Sequence, residues 1–331
     1  VNAEIVESFG QLFMMAYDGK RIAPDVAEFF RAFRIGGVIL FRDNYESPAQ
    51  LRDVIAELQR TCAPPNCPLF VATDHEGGRV QRFRDGFTRI PPMGTLVASP
   101  DSEVEAIHRT IARELRAVGI NIDLAPCADV LRADTTDGIG DRSFGTDPKA
   151  VADRVVAAIR GLQSEGMIAC AKHFPGHGGT KQDSHDELPV SELDLDSLAA
   201  CDLVPFKAAI AAGVDSIMTA HVLYPQRDRV WPASLSPFWI TELLRERLGF
   251  EGVVISDAIE MRALRDRWTP EHCGFRALCA GTDVVVYYRE PYQFEAFLAL
   301  RAALEDGDLN ARQVAASIGR VRALKQRRLT A

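Results

Sequence analysis

Short apolar runs alternate with amphipathic stretches from one end of the chain to the other. Gln11 to Tyr17, Gly36 to Phe41 (GGVILF), Leu69 to Thr73, Ile120 to Ala125, Ile168 to His173, Ser216 to Val222 (SIMTAHV), Gly252 to Ser256 (GVVIS) and Asp283 to Tyr288 (DVVVYY) are near-continuous apolar runs of strand length. Runs of this kind predict strands covered on both faces. Between them the spacing turns helical: Pro24 to Phe33 with Val26, Phe29, Phe30 and Phe33 on one side, Pro48 to Gln59 behind an N-cap at Ser47, Glu103 to Val118, Pro148 to Glu165, Leu198 to Ala212, Pro237 to Leu248 and Pro270 to Ala280. Gln293 to Glu305 and Ala311 to Gln326 close the chain as helices. Strand-then-helix units repeated in this way predict an α/β protein, a closed parallel (β/α)8 TIM barrel, with a doubly wound open sheet as the alternative. No Ser/Gly/Pro-rich linker interrupts the alternation, so one domain is expected, residues 1–331, a (β/α)8 unit ending in C-terminal helices.

Composition narrows the class of partner. Of 331 residues, 47% are hydrophobic and 25% charged, enough to build a sizeable core, and the net charge of -8 offers no basic surface to nucleic acid. The C-terminal cluster Lys325-Gln326-Arg327-Arg328 reads as a solvated helix end. The seven cysteines are scattered without a CxxC pair, which implies a reducing compartment, and Cys127 and Cys170 in apolar runs read as small buried residues. Val1 to Gly10 lacks a basic leader region, and Leu12 to Tyr17 is too short to span a membrane. A cytoplasmic monomer with no membrane contact is expected.

In a parallel barrel the active site lies at the C-terminal ends of the strands. Those ends carry Asp74, Asp129, Lys172 with His173, His221 and Asp257. A carboxylate closing an apolar strand, as Asp257 closes Val253-Val254-Ile255-Ser256, is positioned either as a nucleophile or as a cap for the next helix. The loop from Lys172 to His185 holds His173, His177 and His185 with Asp183 and Gly176, Gly178 and Gly179. In Asp183-Ser184-His185 an extended backbone would put carboxylate and imidazole on the same side, where the acid stabilises the imidazolium and orients the ring: a candidate acid/base dyad. Asp74 with Gly77, Gly78, Arg79 and Arg82 suits hydroxyl-rich ligands, or else Arg79 and Arg82 form ion pairs within a loop. Arg142 in Gly140-Asp141-Arg142-Ser143-Phe144-Gly145 belongs either in the same mouth or in a turn pair with Asp141.

Taken together, the motifs Asp74-His-Glu-Gly-Gly-Arg-Val-Gln-Arg82, Gly140-Asp-Arg-Ser-Phe-Gly145, Lys172-His-Phe-Pro-Gly-His-Gly178 with Asp183-Ser-His185, Met218-Thr-Ala-His221 and Ser256-Asp257 stand in an order that resembles glycoside hydrolase family 3. Within it they are similar to the short β-N-acetylglucosaminidases of bacterial peptidoglycan recycling, over roughly residues 10 to 290. The resemblance implies a retaining glycosidase for terminal β-linked N-acetylglucosamine, acting on a small carbohydrate such as a GlcNAc-containing muropeptide without cofactor or metal. By the same resemblance Asp257 is the nucleophile, His185 the acid/base and Asp183 its partner. Asp74, Arg142, Lys172 and His173 would bind the sugar, with Arg82, His221 and Met261 beside them.

Two positions depart from the family pattern: Gly179 and Ala258 stand where members commonly carry aspartate. They motivate a further reading, a sugar-binding homologue weakened in turnover. A β-glucosidase indifferent to the N-acetyl group is another, and so is a phosphorylase, because a neutral imidazole repels phosphate less than a carboxylate does. From a different chemical class, His173, His177, His185 and His221 with Asp257 could ligate a metal, although Pro175 and Gly176 break any helical histidine spacing.

Overall fold

In the computed structural model, which describes residues 2–132, 138–180, 183–184, 186–288 and 290–330, every apolar run contributes a strand. In chain order they are β1 (Phe13–Met15), β2 (Gly37–Ile39), β3 (Phe70–Thr73), the hairpin β4 (His75–Gly77) and β5 (Val80–Gln81), then β6 (Ile122–Asp123), β7 (Ile168–Phe174), β8 (Ser216–Thr219), β9 (Val253–Ala258) and β10 (Val284–Tyr287). All but the hairpin close a parallel barrel in the order β1, β2, β3, β6, β7, β8, β9, β10. Closure is made by β1 against β10, with Met14 opposite Val286, and this pairing rules out the open-sheet alternative. The continuous apolar runs are explained by burial on both faces: all seven residues of β7 are buried, and so are Phe70 to Thr73.

Helices follow the strands on the outside. They are α1 (Ala3–Ser8), α2 (Pro24–Ala32), α3 (Pro48–Thr61), α4 (Asp101–Ala117), α5 (Pro148–Ser164), α6 (Leu195–Ala200), α7 (Leu203–Ala211), α8 (Arg262–Arg265), α9 (Pro270–Ala280), α10 (Tyr292–Asp306) and α11 (Ala311–Leu329). A further helix, Phe238–Arg247, is wound with π-type hydrogen bonds. Pro sits at the start of α2, α3, α5 and α9, where its missing N–H costs nothing.

Three expectations are corrected. The stretch Leu198 to Ala212 is two helices, because Pro205 inside one continuous helix would clash with the preceding turn; the break after Ala200 puts it in the first turn of α7. Gln11 and Leu12 belong to a 3-10 turn, Phe9–Leu12, ahead of a shorter β1. The basic C-terminal cluster is solvated only in part: Gln326 and Arg327 are exposed, but the cluster is also anchored. Lys325 is 2% exposed and its Nζ donates to Gln11 Oε1 and the Gly36 carbonyl, each at 2.7 Å. Arg327 and Arg328 pair with the buried carboxylate of Asp215 at 3.0 and 2.9 Å. Together they fasten α11 to the N-terminal end of the barrel.

Candidate active site

At the other end, the C-terminal ends of the strands surround a cavity of about 740 Å³. Asp74, Arg82, Arg142, Lys172, His173, Asp183, Asp257 and Met261 all line it, so eight residues expected from sequence share one space. His221 does not line it. That ring is fully buried behind the wall, where Nε2 donates to the Ala258 carbonyl at 2.9 Å and the Ser234 hydroxyl meets Nδ1 at 2.7 Å. From there its ring lowers the pKa of Asp257 on the cavity wall. His185 lies outside the described residues.

The cationic groups are arranged by a buried ion network. Lys172, 1% exposed, bridges Asp74 Oδ1 at 2.8 Å and Glu76 Oε1 at 2.6 Å. Arg82 reaches the other oxygen of Asp74 at 2.9 Å, and Arg142 grips Glu76 with two N–H groups at 2.7 and 2.8 Å. Burial alone would raise both carboxyls, but Lys172 and Arg82 hold Asp74 well below the ordinary range, and Arg142 with Lys172 holds Glu76 at about 2. Both are therefore anions at neutral pH. Glu76 escaped the sequence reading as a site residue, although its place two positions after Asp74 in an extended segment put it on the same side. The β4–β5 hairpin supplies that extended segment: Gly77 and Gly78, at φ +104° and +53°, turn the chain where a side chain would be strained.

A second hub is Asp129, fully buried. It accepts His173 Nδ1–H at 2.7 Å on one oxygen and the backbone N–H of His177 at 2.6 Å on the other. His173 then presents Nε2 to Arg142 at 3.3 Å, and these partners assign its Nδ1–H tautomer. The His177 ring is held between Thr180, 2.8 Å from Nδ1, and Ser184, 3.1 Å from Nε2. Burial first, then His173, pushes it down to about 4, so it stays neutral. The Ser184 contact closes the loop across itself just beside Asp183, and Ala263 N–H donates to the Ser184 carbonyl at 3.2 Å.

Gly179 has a counterpart in space. A Cβ there would lie 3.0 Å from Arg132 Cδ, so the arginine occupies the room that a larger residue would need. Arg132 pairs in turn with Asp202, the residue at the break between α6 and α7, and Asp202 packs under Gly176. At Asp257, burial raises the carboxyl, yet His221, His173, the Ala258 N–H and Lys172 outweigh it and leave the pKa below the ordinary value. The Ala258 N–H donates to Asp257 Oδ1 at 2.8 Å. Asp257 is thus an ionised carboxylate on the cavity wall without any help from residue 258's side chain.

The metal reading fares poorly on the same contacts. Both ring nitrogens of His173, His177 and His221 are engaged in hydrogen bonds. Among the described residues, Cys127, Asp129 and His173 come within 4.8 Å of one another, but there the Asp129–His173 hydrogen bond takes the place of a ligand set, and burial raises the Cys127 thiol well above its ordinary pKa. Apolar side chains complete the cavity: Ile39, Leu124, Met218, Met261 and Val286 on the floor and wall, with Phe41 and Tyr288 as aromatic faces.

Comparison with known proteins agrees with this arrangement. The family model described as "Glycosyl hydrolase family 3 N terminal domain" matches residues 4–324. A protein of Nitrosomonas eutropha named β-hexosaminidase is 42% identical over 264 residues, which are 78% of this chain and 74% of that one. The solved family 3 β-N-acetylglucosaminidase of Paenibacillus sp. str. FPU-7 superimposes with a TM-score of 0.95 at 38% identity; the match covers 99% of this chain but only 63% of that longer one. NagZ from Neisseria gonorrhoeae, solved with N-trifluoroacetyl-D-glucosamine, gives a TM-score of 0.81 at 34% identity over 95% of this chain and 93% of that one. With the match running along nearly the whole sequence and the strand-end acids and bases gathered in one barrel mouth, this chain belongs to glycoside hydrolase family 3.

Proposed function

We propose that the chain is a retaining exo-β-N-acetylglucosaminidase that removes terminal, non-reducing β-linked N-acetylglucosamine from peptidoglycan-derived muropeptides. The observation that carries this reading is an ionised Asp257 sharing one cavity with Asp183 and with the Asp74–Lys172–Glu76–Arg142 network. Asp257 attacks the anomeric carbon while the Asp183–His185 dyad protonates the departing oxygen. The resulting glycosyl ester is then hydrolysed by water from which the same dyad takes a proton. Asp74 accepts from sugar hydroxyls and Arg82, Arg142, Lys172 and His173 orient the ring, while Met261 offers an apolar contact to the acetamido methyl. The names of the curated relatives and the sugar bound in the neisserial structure support the substrate class. Residues 1–331 act as one catalytic unit, as a cytoplasmic monomer. Among the described residues no helix is long and apolar enough to cross a membrane.

The test is hydrolysis of the 4-nitrophenyl β-glycosides of N-acetylglucosamine and glucose. Wild type is expected to prefer the N-acetyl sugar, Asp257→Ala to lose at least about a thousandfold in kcat, and His185→Ala to suffer most where the leaving group needs protonation. A folded wild type that turns over neither sugar defeats the proposal.

A further inference from the structure

The end of the barrel away from the cavity holds a second cluster of reactive groups. Lys325 Nζ, anchored on Gln11 Oε1 and the Gly36 carbonyl, lies 4.7 Å from the centre of the Phe70 ring and 3.9 Å from Cys67 Sγ. The thiol donates to the same Gln11 oxygen at 3.1 Å, so amine and sulfur converge on one acceptor. Among the described residues no carboxylate pairs with Lys325. Burial pushes its pKa down to about 8 against the opposing pull of Cys67, which leaves part of the amine neutral and nucleophilic at neutral pH. Cys67 is only half-buried, within reach of a small solute.

We propose that Cys67 and Lys325 are a covalent cross-linking site, the lysine amine capturing the cysteine after its oxidation by hydrogen peroxide. The sulfur attacks one peroxide oxygen, the O–O bond breaks, and Cys67 becomes a sulfenic acid with release of water. The Nζ lone pair then attacks the sulfenyl sulfur; the S–N bond forms, the S–O bond breaks, and a proton from nitrogen leaves with the oxygen as a second water. One peroxide is reduced to two waters, and the thiol–amine pair loses two hydrogens. The link joins residues 258 positions apart and ties α11 to the segment that leads into β3. A thiol reductant reverses it by attack on sulfur.

The test treats the purified full chain with hydrogen peroxide and maps its peptides by mass spectrometry. The expected product is one linked pair containing Cys67 and Lys325, lighter by two hydrogens than the separate peptides, absent from Cys67→Ser and lost on incubation with dithiothreitol. In Lys325→Met the sulfur is expected to proceed to sulfinic acid. Sulfinic acid on Cys67 of the wild type with an unmodified Lys325 overturns the proposal, and so does a Cys67 that stays reduced while other thiols oxidise. Should Lys325→Met fail to fold, the wild type still decides, because the link and the sulfinic acid are alternative fates of one sulfur.

Discussion

Lys172 satisfies the carboxylates of Asp74 and Glu76 at once, which makes it a structural cation as well as one that lines the cavity. Lys172→Met would leave Asp74 with Arg82 and Glu76 with Arg142, each short of a partner, Glu76 buried and Asp74 mostly so. Breaking a buried ion network from one side costs roughly 3–5 kcal/mol, and we expect that loss in urea unfolding at pH 7. The deficit should shrink toward pH 2 as the carboxyls protonate; a deficit independent of pH would mean that packing, not charge, holds the lysine. At this scale the sequence was readable wherever an acid or base ended a strand, which is how Asp74, Lys172, His173 and Asp257 came to notice. Asp129 was marked in the same way, but its work, holding His173 and the His177 backbone, was not legible, because a residue that acts through others shows its partners only in the fold.

Elements were legible through their punctuation. Proline starts and apolar stripes located the long helices to within a few residues, and α9 from end to end. Asp147 caps α5 by accepting from Lys149 and Ala150 N–H at 2.9 and 2.8 Å. Asp147→Ala is expected to cost about 1 kcal/mol, lowering Tm by roughly 2 °C, with Asp147→Asn close to wild type in calorimetry. Equal losses in both variants would point to a charge effect instead. The β4–β5 hairpin was missed because its strands are too short to show alternation, although Gly77-Gly78 is a turn signal. The α6–α7 break has Pro205 as its mark, within a stretch whose apolar spacing otherwise runs on as one helix.

For the whole molecule, eight apolar runs announced a parallel sheet covered on both faces, and the closure of β1 on β10 made it a barrel. What they could not announce was the opposite end, where Lys325, Arg327 and Arg328 look in sequence like any solvated helix terminus and find buried acceptors only after the chain has closed. Acid sensitivity is another property of the assembled fold. Burial holds His75, His108 and His177 near 4, against about 6.5 when unfolded. With folded pKa values depressed, the unfolded chain binds protons first. Stability present above about pH 6.5 should fall as the pH drops through 4, by up to about 3 kcal/mol for each ring. Urea titrations between these limits should show a shallower loss for His108→Gln, a site on α4 remote from the cavity; an unchanged slope would remove His108 from the account.

The cavity is floored by the packed interior of the barrel. On the reading proposed above, a sugar chain enters by its tip and leaves the rest of its length in solvent, so the protein has no means of sensing how long that chain is. It responds to the number of tips. A given mass of substrate then becomes richer each time some other enzyme cuts it in the middle, and the pace of this one is set by how finely its supply has already been divided.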